Sequence, residues 1–280
     1  MNFTTLKPVI TAFLILVSVV SFAQKDFQGK AYYESKTTVN MDNFGGGQLS
    51  EERKKEIATR MKSMLEKTFI LTFNQSESFY KEEERLEAPS SGRGFRFGAM
   101  NFTGGDQYKN VRDKELLQEQ ELFGKQFLIK DSLKDLKWEL GSETKTIGQY
   151  TCFKATAVKT MDGFDFGNLG RRPSDDKDEE KDEKPKEIVV TAWYTPQIPV
   201  NQGPDTYWGL PGLILEINSD RTTILCSKIV LNPSEKDEIK APSKGKEVTQ
   251  EEYNAIVKKK MAEMSASRGP GGNRGGGGRR

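Results

Sequence analysis

The run Trp208-Gly209-Leu210-Pro211-Gly212-Leu213-Ile214-Leu215-Glu216-Ile217 constrains this chain more than any other stretch. Proline at the second position of a turn presets φ, and the glycine after it supplies the positive φ of a type II turn. Leu213, Leu215 and Ile217 then alternate with Ile214 and Glu216, the period of a half-buried strand. Gly209, Leu210, Pro211, Gly212, Leu213 and Ile214 therefore form a structural motif, a corner that launches a strand.

Strand-like alternation or composition recurs at 27–40, 69–73, 78–80, 107–111, 116–122, 126–131, 138–140, 149–159, 188–194, 213–218 and 222–231, mostly with hairpin-length links. Two helices interrupt the pattern. Ser50 can cap one running to about Lys67, with Ile57, Met61, Met64 and Leu65 at helical spacing. Thr249 and Glu252 form a capping box for the second, over 248–266, with Tyr253, Ile256, Val257, Lys260 and Met264 near one face. Residues 130–136 read either as strand and loop or as a helical turn. The fold class expected is mainly β (α+β): a large curved antiparallel sheet, with a half-barrel as its candidate shape, and one or two packed helices.

The domain reading is a signal peptide over 1–23, a β-rich domain over 24–231, a linker over 232–247, the helix over 248–266 and an Arg/Gly tail over 267–280. A charged insert, 171–187, interrupts the β-rich domain. The insert, the linker and the tail carry too little apolar surface to offset chain entropy, so all three are expected to be disordered. In the leader, Lys7 precedes an apolar run over 9–20, and Ser21-Phe22-Ala23 offers a cleavage site after Ala23. The run is short for a membrane span. An exported chain without a transmembrane anchor after cleavage is expected, in the periplasm or outer envelope.

The chain contains no histidine, which removes Ser-His-Asp and Cys-His catalysis and histidine-bearing zinc sites. No catalytic residue, metal or cofactor is assigned. The formal net charge of +2 leaves no nucleic-acid footprint on the bulk of the chain. Cys152 and Cys226 fall in different candidate strands, and in an oxidising compartment a disulfide and two buried thiols are the two readings. A disulfide would close a loop of about 75 residues and contribute about 4 kcal/mol.

The candidate binding site is the aromatic–proline block over 192–208. A strand ending in Trp193 and Tyr194 feeds a loop stiffened by Pro196, Pro199 and Pro204, then Tyr207, Trp208 and Leu210. Stiff loops beside aromatics can bind a ligand at low entropic cost, and they can also simply close the end of a sheet. Trp193, Tyr194, Pro199, Tyr207, Trp208 and Leu210 are the residues a ligand would meet. The pair Gly94-Phe95-Arg96-Phe97-Gly98 and Gly163-Phe164-Asp165-Phe166-Gly167 reads either as chance or as matched contact loops.

These segments resemble one known family. Ile147-Gly148-Gln149-Tyr150-Thr151-Cys152-Phe153-Lys154-Ala155, Ala192-Trp193-Tyr194-Thr195, Ile198-Pro199, Gly203-Pro204 and Gly209 to Ile214 stand in the order of the GLPGLI family signature of Bacteroidetes envelope proteins. The resemblance covers roughly 145–218. It implies an exported β-rich protein and supplies no catalytic residue.

Three functions remain open on the sequence. The first is a non-catalytic binding or accessory protein of the envelope, serving an outer-membrane or envelope protein or holding an apolar small ligand in a cavity closed by the 195–212 loop. The second is a carboxylate-dependent hydrolase, which would need two acids converging with one pKa raised by burial. The third is an interaction protein acting through its insert and tail.

Overall fold

The computed structural model describes residues 27–38, 50–83, 105–160 and 187–267. The leader, the charged insert up to residue 186, both Gly-Phe-X-Phe-Gly segments and the Arg/Gly tail from residue 268 lie outside the described residues.

Twelve strands form one sheet. Chain order is β1 (Gly29–Thr37), α1 (Glu51–Leu65), β2 (Glu66–Phe73), β3 (Glu77–Glu82), β4 (Gln107–Asn110), β5 (Glu115–Leu122), β6 (Lys125–Ser132), β7 (Glu139–Ile147), β8 (Tyr150–Thr160), β9 (Glu187–Thr195), β10 (Leu213–Ser219), β11 (Thr222–Leu231), β12 (Lys246–Val248) and α2 (Gln250–Ser267). Spatial order is β12-β6-β5-β4-β3-β2-β1-β11-β10-β9-β8-β7. The chain steps outward from β1 to β6, crosses to the opposite edge at β7, and steps back to β11 beside β1. All pairs are antiparallel except β12 on β6, which is parallel.

The topology forces the curvature. Ten strand spacings separate β6 from β7 in the sheet order, about 48 Å if the sheet were flat. The link between Ser132 and Glu139 holds six residues and reaches about 25 Å at most. The sheet must curl into a trough for the chain to make that crossing. This is the large curved sheet the sequence predicts, and it stays open, because β7 and β12 do not pair.

Several local readings need correction. The polar run after Leu140 continues as strand to Ile147, where an end at residue 140 was expected. Residues 133–138 form no helical turn. The 232–247 stretch, expected to be a disordered linker, straps the back of the sheet. Its Asp237 carbonyl accepts from the Gln28 amide at 2.7 Å, and its carboxylate pairs with Lys30 at 2.7 Å. Ile239 packs on Tyr108, Leu117 and Leu128, whose side chains alternate with those facing the trough. Lys246 and Glu247 belong to β12.

Ser50 caps α1 by accepting the Arg53 N–H, and the helix runs straight into β2. The side chains of Ile57, Met61 and Met64 lie outside the described residues. At the other helix the capping box forms in both directions: the Thr249 N–H donates to Glu252 at 2.9 Å and the Glu252 N–H to the Thr249 hydroxyl at 3.2 Å.

The main core lines the trough from β1, β2, β3 and β8 to β11. Tyr33, Leu71, Phe73, Val190, Ala192 and Ile217 are all fully buried in it.

Candidate functional site

The aromatic–proline block is built as filling for the trough. Residues 196–212 leave the end of β9, fold into its hollow and return as β10. Ile198, Val200, Gln202, Leu210, Leu213 and Ile214 are at most 2% exposed. The loop makes its own short ladder. The Leu213 N–H donates to the Ile198 carbonyl at 3.0 Å, Ile214 to Gln202 at 3.1 Å and Gly209 to Asn201 at 3.1 Å. Each bond satisfies a backbone group that burial would otherwise leave unpaired.

The corner differs from a type II turn. The Gly212 N–H reaches back two residues to the Leu210 carbonyl at 2.8 Å, while Leu213 donates to Ile198 instead. Gly212 sits at φ +159, far from the value of about +80° that a type II turn needs there. Its glycine is required by proximity, since a Cβ would lie 2.2 Å from the Thr195 carbonyl oxygen. Gly209, at φ +92, is required by its backbone conformation.

Side chains from three other elements nail the loop in place. The Tyr33 hydroxyl donates to the Ile214 carbonyl at 2.7 Å. Two indoles latch across one another: Trp138 donates to the Trp208 carbonyl at 2.8 Å, and Trp208 donates to the Lys134 carbonyl at 3.0 Å. Lys109 reaches from β4 to the carbonyls of Gly203 (2.6 Å), Asp205 and Tyr207 (3.3 Å) and is fully buried. Burial pushes the Lys109 ammonium down to about 7, opposed by the Asp205 carboxylate. Sequence reading missed this lysine. One basic residue in a short strand reads as solvent-facing, and only the strand register puts it beside Ser78 and Leu116 on the trough side.

The six candidate binding residues therefore do not share a surface. Tyr194, Tyr207, Trp208 and Leu210 are buried, Trp193 is half-buried and Pro199 is exposed. Lys145 covers the Trp193 ring at 4.3 Å and pairs with Glu216 at 2.6 Å. The loop occupies much of the trough where a cavity closed by 195–212 was expected, and about 220 Å³ remains between Asp205 and Tyr207 of the loop and Ile188, Ile217 and Ile224 of the sheet.

Cys152 and Cys226 are free, buried thiols on β8 and β11, with β9 and β10 between them in the sheet. Burial pushes Cys152 up to about 11 and Cys226 up to about 12.

The other end of the trough is less completely filled. Leu116 and Leu122 share one face of β5. Leu116 meets Trp208 of the loop, whereas Leu122 meets α2. The helix lays Tyr253, Ile256 and Val257 against Phe127, Ile129 and Val248, with Tyr253 edge-on to Phe127 at 5.6 Å. A hollow of about 630 Å³ remains between the helix and the β5–β6 hairpin. Leu122, Phe123, Phe127 and Ile256 line it, with Lys125, Lys246, Lys260 and Glu263 around them.

Glu66 and Glu263 are both held below the usual carboxylate range, by hydrogen bonds from Lys36 and Lys260 respectively. That is the opposite of a raised catalytic acid. Among the described residues no three His, Cys, Asp or Glu side chains gather as metal ligands, and no helix is long and apolar enough to cross a membrane.

The molecule is thus an open, strongly curled β-sheet whose trough is plugged at one end and hollow at the other. A family model described as "Protein of unknown function (Porph_ging)" matches residues 138–216, which span β7 to β10 and the plugging loop. No curated protein matches. Two solved structures of PNGF-II, in C2 and P21 space groups, are similar at 14% and 13% identity, with TM-scores of 0.45 and 0.46. Each match covers 83% of this chain and 33% of the other, so the chain spans about a third of the length of those structures. At that level the likeness says nothing of what this chain does.

Proposed function

We propose that this is a non-catalytic, exported protein of the cell envelope that binds an apolar ligand at the hollow end of its trough. The observation that carries the reading is the contrast within one concave face. The aromatic–proline end is tied down by backbone hydrogen bonds and leaves only about 220 Å³ beside Asp205 and Tyr207, whereas the α2 end leaves apolar side chains around a hollow of about 630 Å³. Pockets of about 300–1,000 Å³ with apolar walls are the usual size for small ligands. The leader over 1–23 and the resemblance of Gly209 to Ile214 to the GLPGLI signature support export. The absence of histidine removes imidazole-based acid–base chemistry.

The test is to express the full chain in a bacterial host, recover it from the envelope, and measure intact and native masses. The reading expects cleavage after Ala23 and a co-purifying non-protein mass released by organic solvent. An uncleaved, cytoplasmic protein would overturn the export half. A cleaved protein that never carries or takes up an apolar molecule would overturn the binding half.

An accessory role toward an envelope protein is the second reading, and β7 favours it. This nine-residue edge strand is exposed along most of its length, and two of its three charges, Glu143 and Lys145, are paired back onto the sheet with Lys154 and Glu216. An edge with a single charge unpaired among the described residues, Glu139 at its start, is otherwise open to strand addition. Photo-crosslinkers at Ser142 and Thr144 should trap a discrete envelope protein, and no adduct at either position would count against it.

A further inference from the structure

We infer that the hollow is a site for a single-chain amphiphile with an anionic head, its acyl tail on the apolar floor and its head among the lysines of the rim. The inference rests on the apolar-ligand reading above and narrows its chemistry.

The floor is assembled from both sides. Leu122 and Phe127 come from the β5–β6 hairpin, Ile256 comes from α2, and Phe123 comes from the hairpin tip. Gly245 lets β12 begin alongside β6, since a Cβ there would lie 2.7 Å from the Phe127 backbone. That pairing sets Lys246 opposite Phe127 on the rim.

The rim charge is unbalanced. Lys260 is paired with Glu263 at 2.6 Å, which neutralises both. Lys125 and Lys246 are exposed and make no ion pair among the described residues. Two unpaired ammonium groups beside an apolar wall complement a carboxylate, sulfate or phosphate head carrying an alkyl tail.

The hairpin tip supplies an independent observation. Phe123 and Gly124 hold φ +50 and +75, the positive values of a two-residue type I′ turn. The first of those positions ordinarily takes Asn, Asp or Gly, because a side chain such as phenylalanine is strained there. Backbone strain of this kind persists where the side chain has a use. Here the ring lines the hollow together with Ile256 and packs on the cluster formed by Leu122, Phe127 and Tyr253.

The experiment is calorimetric titration of the full mature chain with decanoate and with 1-decanol, each below its aggregation limit. Decanoate should bind more tightly than decanol, and more weakly as salt rises. Lys125→Gln with Lys246→Gln should weaken decanoate about tenfold and leave decanol unchanged. Phe123→Asn installs the residue the turn prefers, so the melting temperature should hold or rise while both ligands weaken about tenfold or more.

Equal binding of decanoate and decanol, or lysine variants that bind decanoate like the parent, would overturn the anionic head while leaving an apolar ligand site standing. Binding of neither molecule would overturn the hollow as a site altogether. Full affinity in Phe123→Asn would do the same. Flotation with phosphatidylglycerol vesicles in the absence of any decanoate binding would replace the site with a membrane-facing surface.

Discussion

The two ends of the trough bury similar kinds of side chain by different means. At one end the 196–212 loop is fixed by hydrogen bonds from Tyr33, Trp138, Trp208 and Lys109, all aimed at backbone carbonyls. At the other end α2 is laid on β6 and β12 chiefly through apolar contact, with Tyr253 as its deepest anchor. The loop's short ladder does not reach the carbonyls of Gly203, Asp205, Tyr207 and Trp208, so burying it takes donors from elsewhere. A helix satisfies its own backbone and can dock with few of them. The consequence is that the loop end has a unique, rigid arrangement, while the helix end can leave space.

That contrast can be broken most severely at Gly212. Gly212→Val sets a branched side chain against the Thr195 carbonyl, where even a Cβ would be 2.2 Å away. It should cost more than about 4 kcal/mol and leave little folded protein, read by urea denaturation.

Lys109→Met comes next. It removes the donor to three buried carbonyls, and should cost about 3 kcal/mol at neutral pH. The parent's pH profile should carry the lysine's signature. Its folded pKa, about 7, lies below the unfolded value, so the unfolded chain binds more protons above pH 7 and stability rises with pH up to about 8.5. Above that the buried thiols reverse the trend. Their folded pKa values, about 11 and 12, lie above the unfolded ones, so their contribution is present below about pH 8.5 and is lost as the pH climbs. Lys109→Met should abolish the rise and keep the fall. A flat parent profile from pH 7 to 8.5 would mean that the carbonyl cage outweighs burial.

Trp208→Phe keeps an aromatic ring but deletes the N–H to Lys134 and part of the buried bulk against Leu116. About 1–2 kcal/mol should be lost, by the same denaturation measurement. The smallest effect belongs to the helix end. Thr249→Ala removes one half of the capping box and should cost about 1 kcal/mol, visible as faster amide exchange in α2 with the loop unaffected.

Much of the sheet was legible because most strands bury one face and so alternate. β7 was cut short at Leu140 because Gly141 to Thr146 are polar on both faces of an edge, which leaves no period to read. β12 was missed because three residues in parallel pairing carry almost no pattern. The 232–247 strap looked disordered because its few anchors, Asp237 and Ile239, sit among residues typical of linkers.

The corner itself was legible, and so was the importance of the block around it. What composition could not tell was its direction. Tyr207, Trp208 and Leu210 would look the same lining a ligand site or filling a trough, and the deciding partner, Lys109, stands about a hundred residues upstream. The hollow was illegible for the same reason. Phe123-Gly124 and Lys246 are far apart in sequence and meet only through the parallel β12–β6 pair.

The central claim is that the aromatic–proline loop is core and not a free surface, and native-state amide exchange tests it most directly. The amides of Tyr207, Gly209 and Gly212 are predicted to exchange only by global unfolding, as slowly as those within β9 and β10, while the second half of α2 exchanges much faster. If those loop amides exchange as fast as α2 while β9 and β10 stay protected, the loop is a mobile surface feature and the account is wrong.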